Sequence, residues 1–185
     1  FQRWIKHSSF DEYWQKMAPY KNDFVQINIP VLVFDGYYND SQNSSLYYVR
    51  ELQKYNPKNP VYVVIGPYDH FGTQVGGEKE LYDYKVDPVS IINIKKITYQ
   101  WFDYILKNGE KPEILKDKIN YEIMGANEWR SAPSLDKMAN GFLKLYLSDS
   151  KRGKFYSLKD KKAAQKKYLY QEVDFADRQV QNNEY

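Results

Sequence analysis

The sequence predicts an α/β chain: part of a parallel sheet with helices, followed by the start of a β-sandwich. Three features lead there. Two apolar runs, Val31-Leu32-Val33-Phe34 and Val61-Tyr62-Val63-Val64-Ile65, lack the alternation of a half-solvated strand and read as strands buried on both faces. A helical pattern through Leu46, Val49 and Leu52 lies between them, giving a strand-helix-strand unit. Beyond Pro112, Ile119 to Met124 and Phe142 to Leu147 alternate apolar and polar residues, the pattern of antiparallel strands with one wet face.

Along the chain, Ser9-Phe10-Asp11-Glu12 reads as a capping box for a short helix through Tyr13, Trp14 and Met17, which Pro19 stops. The first buried strand follows Ile29-Pro30 and ends at Gly36. The helix after it reaches about Tyr55, ahead of the Pro57 to Pro60 breaker, and the second strand stops at Gly66-Pro67. Gly76-Gly77 reads as a flexible loop. A longer helix then runs from about Ser90 through Ile94, Ile97, Trp101, Phe102 and Ile105, closed by Lys107 and Gly109, with Trp101 and Phe102 expected in its core face. Residues 151–167 hold seven lysines and one arginine, the composition of a solvated hairpin or linker. Trp129 is expected to pack the sheet domain on the sandwich or to form a cleft wall.

Composition narrows the function classes. The 185 residues are 42% hydrophobic, enough for one good core or for one domain and part of another. The longest apolar runs fall far short of the roughly 20 residues a membrane-spanning helix needs. The first residues carry no apolar stretch of signal-peptide length, and localisation, extracytoplasmic or otherwise, is left open. With no cysteine, the chain forms no disulfide, thiolate metal site or cysteine nucleophile. A net charge of +3 from 27 basic and 24 acidic side chains is too balanced to call for a nucleic-acid partner. Two distant histidines without His-x-x-x-His spacing make no metal cluster. Nineteen tyrosines fit sheet faces and half-buried surfaces before they fit a binding cleft.

Ligands and catalytic groups of a parallel α/β unit gather in the loops beyond the carboxyl ends of its strands. Asn39-Asp40 follows the first strand here and Asp69-His70 the second. An imidazole held in one tautomer by a neighbouring acceptor can take a proton from a hydroxyl nucleophile. His70 is therefore the candidate general base, and the Asn39-Asp40 pair the candidate orienting group. Asp35, at the strand end, reads as structural or as a support behind the site residues, and His7 as a capping or surface residue ahead of one facing the cleft.

Four stretches sharpen this reading: Ile29-Pro30-Val31-Leu32 with Gly36-Tyr37-Tyr38-Asn39-Asp40, Ile65-Gly66-Pro67-Tyr68-Asp69-His70, Trp101-Phe102-Asp103-Tyr104-Ile105-Leu106-Lys107, and Met124-Gly125-Ala126-Asn127-Glu128-Trp129-Arg130. In order and spacing they resemble the CocE/NonD type of α/β-hydrolase, which includes cocaine esterase, α-amino-acid ester hydrolase, glutaryl-cephalosporanic acid acylase and X-Pro dipeptidyl-peptidase. The resemblance implies a catalytic base at His70. It implies the acid at the third place after Gly36, which is Asn39, with Asp40 beside it. Either Asp40 orients the imidazole after a small loop adjustment, or the Asn39 amide stands in for the carboxylate. In the chymotrypsin-type triad, an Asp-to-Asn change in this role lowers turnover about 10,000-fold.

The same resemblance implies a nucleophilic serine in a Gly-x-Ser-Tyr-x-Gly elbow, and no such stretch occurs here. Ser41, Ser44 and Ser45 stand at the start of a helix without elbow glycines. Acidic residues that would bind a substrate amine just after the acid position are replaced by Ser41 and Gln42, so esters and amides of other acyl groups stay open. The expected division is residues 1–26 as the end of a helical cap, 27–115 as the carboxyl-terminal part of a hydrolase domain, and 116–185 as the start of a jelly-roll β-sandwich. The expected function is a serine hydrolase, inactive as this chain alone and completed by a missing amino-terminal half. Its partner would be a small ester, amide or short peptide, with homo-oligomerisation open and neither cofactor, nucleic acid nor membrane required. The alternative is a catalytically impaired relative that binds peptide or glycan.

Overall fold

The computed structural model describes residues 1–163 together with Tyr168 and Tyr170. The chain divides into two units, Phe1–Met138 and Ala139–Tyr185. In the first, two short helices, α1 (Gln2–Ile5) and α2 (Glu12–Gln15), precede strand β1 (Val31–Gly36), helix α3 (Gln42–Tyr55) and strand β2 (Val61–Gly66). A short helix α4 (Gly72–Val75), a small hairpin β3 (Glu80–Leu81) and β4 (Tyr84–Lys85), and helix α5 (Ile94–Lys107) follow. Strands β5 (Ile119–Ile123) and β6 (Glu128–Ala132) complete it.

The sheet runs in the order β1-β2-β5-β6. Strands β1 and β2 are parallel, with Asp35 beside Ile65 and Gly36 beside Gly66, as the two apolar runs predict. Side chains along a strand alternate between faces, so β2 serves two cores at once. Val61, Val63 and Ile65 join Val49 and Leu52 of α3 and the fully buried Phe24 on one face. Val64 meets Trp101 of α5 and Leu115 on the other, with Tyr62 packed alongside. This is why neither strand shows an amphipathic pattern.

Strand β5 corrects the expectation drawn from alternation. It pairs in parallel with β2, Val63 beside Ile119 and Ile65 beside Tyr121, and only its other neighbour, β6, is antiparallel. The polar positions of the pattern do not face water. Asn120 is buried and donates from Nδ2 to the Asp117 carbonyl at 2.7 Å, and Glu122 is 1% exposed. Polar alternation marks a wet face only when the polar side chains have no buried role. The boundary expected at residue 116 accordingly falls inside the first unit. Trp129 likewise packs within that unit, its Nε1 donating to the Val89 carbonyl at 2.8 Å.

Helix ends differ from the sequence reading for local reasons. The cap of α2 is Asp11, whose Oδ1 accepts from the Tyr13 N–H at 2.9 Å, and not Ser9. Helix α5 begins after Asn93, which caps the Lys96 N–H at 2.9 Å, while Pro88–Ser90 forms a separate 3-10 turn. At its other end Asn108, not Gly109, takes the left-handed conformation, with φ 55°. Trp101 is core, as expected, but Phe102 is exposed.

In the second unit, strands β7 (Tyr146–Arg152) and β8 (Phe155–Lys159) form an antiparallel hairpin closed at Gly153, whose φ is 62°. The strand expected over Phe142 to Leu147 therefore starts four residues late and runs on through Arg152, because its register is counted back from that turn. The lysine-rich segment is a solvated hairpin as far as described; residues 164–167 lie outside the described residues.

The packing makes a differential stability test. Leu115 is fully buried between Val64 and Trp101, so Leu115→Ala is expected to lower the unfolding free energy by about 2–5 kcal/mol in urea titrations. Leu106→Ala, on the exposed side of α5, is expected to stay within about 0.5 kcal/mol.

Candidate active site

The candidate residues lie where β1 and β2 end side by side. Beyond the strands the two chains continue to pair, the Tyr37 N–H donating to the Gly66 carbonyl at 2.9 Å and the Tyr38 N–H to the Tyr68 carbonyl at 3.1 Å. This approach requires glycine at 36, because a Cβ there would lie 1.9 Å from the Tyr68 carbonyl oxygen. Tyr68 is buried, and its hydroxyl donates to the Ser90 carbonyl at 2.7 Å. Gly77 abuts the Tyr68 ring and Gly76 the Ile92 carbonyl, so the Gly76-Gly77 loop is shaped by close packing rather than by a need for flexibility.

His70 stands on the turn from β2 into α4. Its carbonyl accepts from Thr73 Oγ1 at 2.7 Å and from Gln74 Nε2 at 3.3 Å, while Asp69 Oδ1 caps the Gly72 N–H at 2.7 Å. The backbone is thus anchored and the imidazole, 55% exposed, projects beside the loop after β1. Three polar atoms of that loop face its Nδ1: Ser41 Oγ at 3.3 Å, Asn39 Oδ1 at 3.4 Å and Asp40 Oδ1 at 3.4 Å. These contacts are long, as catalytic hydrogen bonds in unliganded sites often are. Among the described residues Nε2 has no hydrogen-bond partner.

All three residues singled out in the sequence, His70, Asn39 and Asp40, therefore meet. They differ in environment. Asp40 is 81% exposed and, besides facing His70, accepts from Ser41 Oγ at 3.2 Å. Asn39 is tied inward, its Nδ2 donating to Asp35 Oδ1 at 2.9 Å. Asp35 is completely buried and also accepts from the Gly36 N–H at 2.7 Å and from Ser45 Oγ. His7 lies elsewhere, bonded through Nδ1 to Asp11 Oδ2 at 2.7 Å and stacked on Tyr13, the local role expected of it.

Sequence reasoning named Ser41 but missed that it bridges the loop to His70, and it missed Glu122, which lies behind that loop. The Tyr37 hydroxyl donates to the Glu122 carbonyl at 2.7 Å, tying β5 to the loop. Burial, followed by the nearby Asp87 carboxylate, pushes the Glu122 carboxyl up to about 7. Asp87 itself is held below the usual carboxylate range, chiefly by the Gly125 N–H. Burial also raises the Tyr37 and Tyr68 phenols. Among the described residues no group of three or more acidic or histidine side chains could hold a metal ion, and no helix is long and apolar enough to cross a membrane.

With this geometry in place, solved structures offer a comparison. An aminopeptidase from a marine sediment archaeon, Thaumarchaeota archaeon, superposes with a TM-score of 0.55 at 21% identity, over 79% of this chain and 24% of that one. The chain shares its fold with part of that enzyme. A CocE/NonD family hydrolase from Staphylococcus aureus superposes at a TM-score of 0.49 and 15% identity, over 80% of this chain and 24% of that one. The chain thus spans about a quarter of the length of each. No family model matches it, and no curated protein matches it significantly.

The buried carboxyl sets a pH signature. Between about pH 4.5, the ordinary value, and about 7, folded Glu122 holds a proton that the unfolded chain releases. Its contribution to stability is therefore present at acid pH and lost as pH rises through that window. Urea midpoints are expected to fall from pH 5 to pH 8 in the wild type, and to fall distinctly less in Glu122→Gln.

Proposed function

We propose that the chain supplies the general base and its orienting loop to a serine hydrolase that cleaves an ester or peptide-like amide through an acyl-enzyme. The observation that carries this reading is His70, with Nδ1 turned to the Asn39-Asp40-Ser41 loop and Nε2 without a partner among the described residues. An imidazole so held takes the proton of a serine hydroxyl on Nε2 as the oxygen attacks the carbonyl, and passes it to the leaving alkoxide or amine. Water then attacks the acyl-serine with His70 again as base, returning the free acid and the serine. The serine and the donors that stabilise the oxyanion lie, in this reading, on polypeptide outside this chain. Fold similarity to part of an aminopeptidase is consistent with it. The second unit is then the beginning of a β-sandwich, and the first helices the end of a cap.

A second reading, a catalytically impaired relative that binds peptide or glycan, is favoured by one feature. A cavity of about 320 Å³ is lined by Phe10, Ala18, Pro19, Tyr47 and Tyr48 together with Asn43 and Ser44, and His70 is not among its lining residues. Such an aromatic lining suits a ligand without a charged group.

Fluorophosphonate labelling of the full polypeptide carrying the proposed serine separates the two. Labelling of the wild type, slowed about 100- to 10,000-fold in His70→Ala, is the outcome expected of the hydrolase. A folded wild type that does not label contradicts it and favours the binding protein.

A further inference from the structure

The three acceptors facing His70 Nδ1 are nearly equidistant, so distance does not choose among them. Their anchoring does. Asp40 is exposed, and an exposed carboxylate on a flexible side chain holds a partner only loosely. Asn39 is fixed from behind. Asp35 is fully buried, with the Gly36 N–H, Ser45 Oγ and the Asn39 amide around it. The Ser41 backbone N–H, which can only donate, faces the outer amide atom of Asn39 and makes it the oxygen, so the amide nitrogen faces Asp35, which settles the orientation that an amide alone leaves ambiguous. Its oxygen is then directed outward, where it accepts from the Ser41 N–H at 3.2 Å and Ser41 Oγ at 3.1 Å and lies 3.4 Å from His70 Nδ1.

A carbonyl oxygen cannot donate. With the Ser41 hydroxyl proton given to Asn39 Oδ1, Ser41 Oγ and Asn39 Oδ1 both present lone pairs to Nδ1, so that nitrogen carries the proton and Nε2 is left bare. We propose that Asp35 is a positioning residue: its buried carboxylate holds the Asn39 amide so that His70 is kept in the Nδ1–H tautomer, without need of the Asp40 carboxylate. The orienting charge is set back by one amide, with Asn39 as the link between a carboxylate at the strand end and the imidazole. The inference rests on the reading of His70 as general base, since only there does the tautomer matter to chemistry.

The test reads the tautomer directly and needs no substrate, so its failure is separate from a failure of fluorophosphonate labelling. In a His7→Gln background His70 is the only histidine of the 185-residue chain. Nitrogen-15 shifts and long-range couplings of its ring are expected to report Nδ1–H as the major neutral form, against the Nε2–H preference of a free side chain. Asp35→Asn offers an amide to Asn39, lets that side chain turn its nitrogen outward, and is expected to invert the ratio to Nε2–H. Asp40→Asn is expected to leave the ratio unchanged. A ratio that follows Asp40 and ignores Asp35, or a wild type in the Nε2–H form, overturns the proposal. Should Asp35→Asn fail to fold, the wild type still decides: one Asn39 side-chain N–H is expected to be protected from solvent exchange, and free exchange of both protons overturns it.

Discussion

The close approach of two chains at the ends of β1 and β2 is the constraint on which the rest of the site depends. Parallel strands bring the two following loops to the same edge, but ordinary strand spacing would leave them as separate turns. Here the pairing continues past the strands, through the Gly66 and Tyr68 carbonyls, and the Tyr68 backbone presses onto Gly36. Tyr68 is in turn locked by its hydroxyl on the Ser90 carbonyl, which ties the His70 turn to the segment leading into α5. Side chains that are four to ten residues apart in the β1 loop, and 25 to 35 from His70, then fall within one hydrogen-bonded group.

The fold was legible where apolar side chains pack on both faces, largely buried along β2 and half-buried over Val31 to Phe34 of the edge strand β1. Val31 to Phe34 and Val61 to Ile65 announce a parallel pair because no periodicity of exposure interrupts them, and the structure pairs them so. Strand β5 was misjudged for a related reason. Asn120 and Glu122 look like a wet face but are enclosed, one hydrogen-bonded to backbone and the other a carboxyl raised by burial. Sequence pattern records polarity, and polarity is a guide to exposure only until a polar group is used inside. Helix ends erred by a few residues because Asp11 rather than Ser9 caps α2, and because Asn93 caps α5 three residues beyond the expected start at Ser90.

The site was legible in part. His70, Asn39 and Asp40 were visible because each sits in the loop after a strand that ends in glycine. Their ranking was not. Whether Asn39 or Asp40 matters depends on what lies behind each, and nothing in the order of residues says that Asp35 turns inward to hold one of them while the other stands in water. Ser41 was weighed only as a nucleophile without an elbow and as a replaced acidic position, whereas here its hydroxyl bridges Asn39 and His70.

The central claim is that this chain holds an imidazole ready for a serine carried elsewhere on the polypeptide. A crystal structure of the full polypeptide after reaction with a fluorophosphonate tests it most directly. The account predicts the phosphonylated serine oxygen within hydrogen-bond reach of His70 Nε2, roughly 2.6–3.2 Å, with Nδ1 still turned to Asn39. A labelled serine served by another base, with His70 left facing solvent, would contradict it.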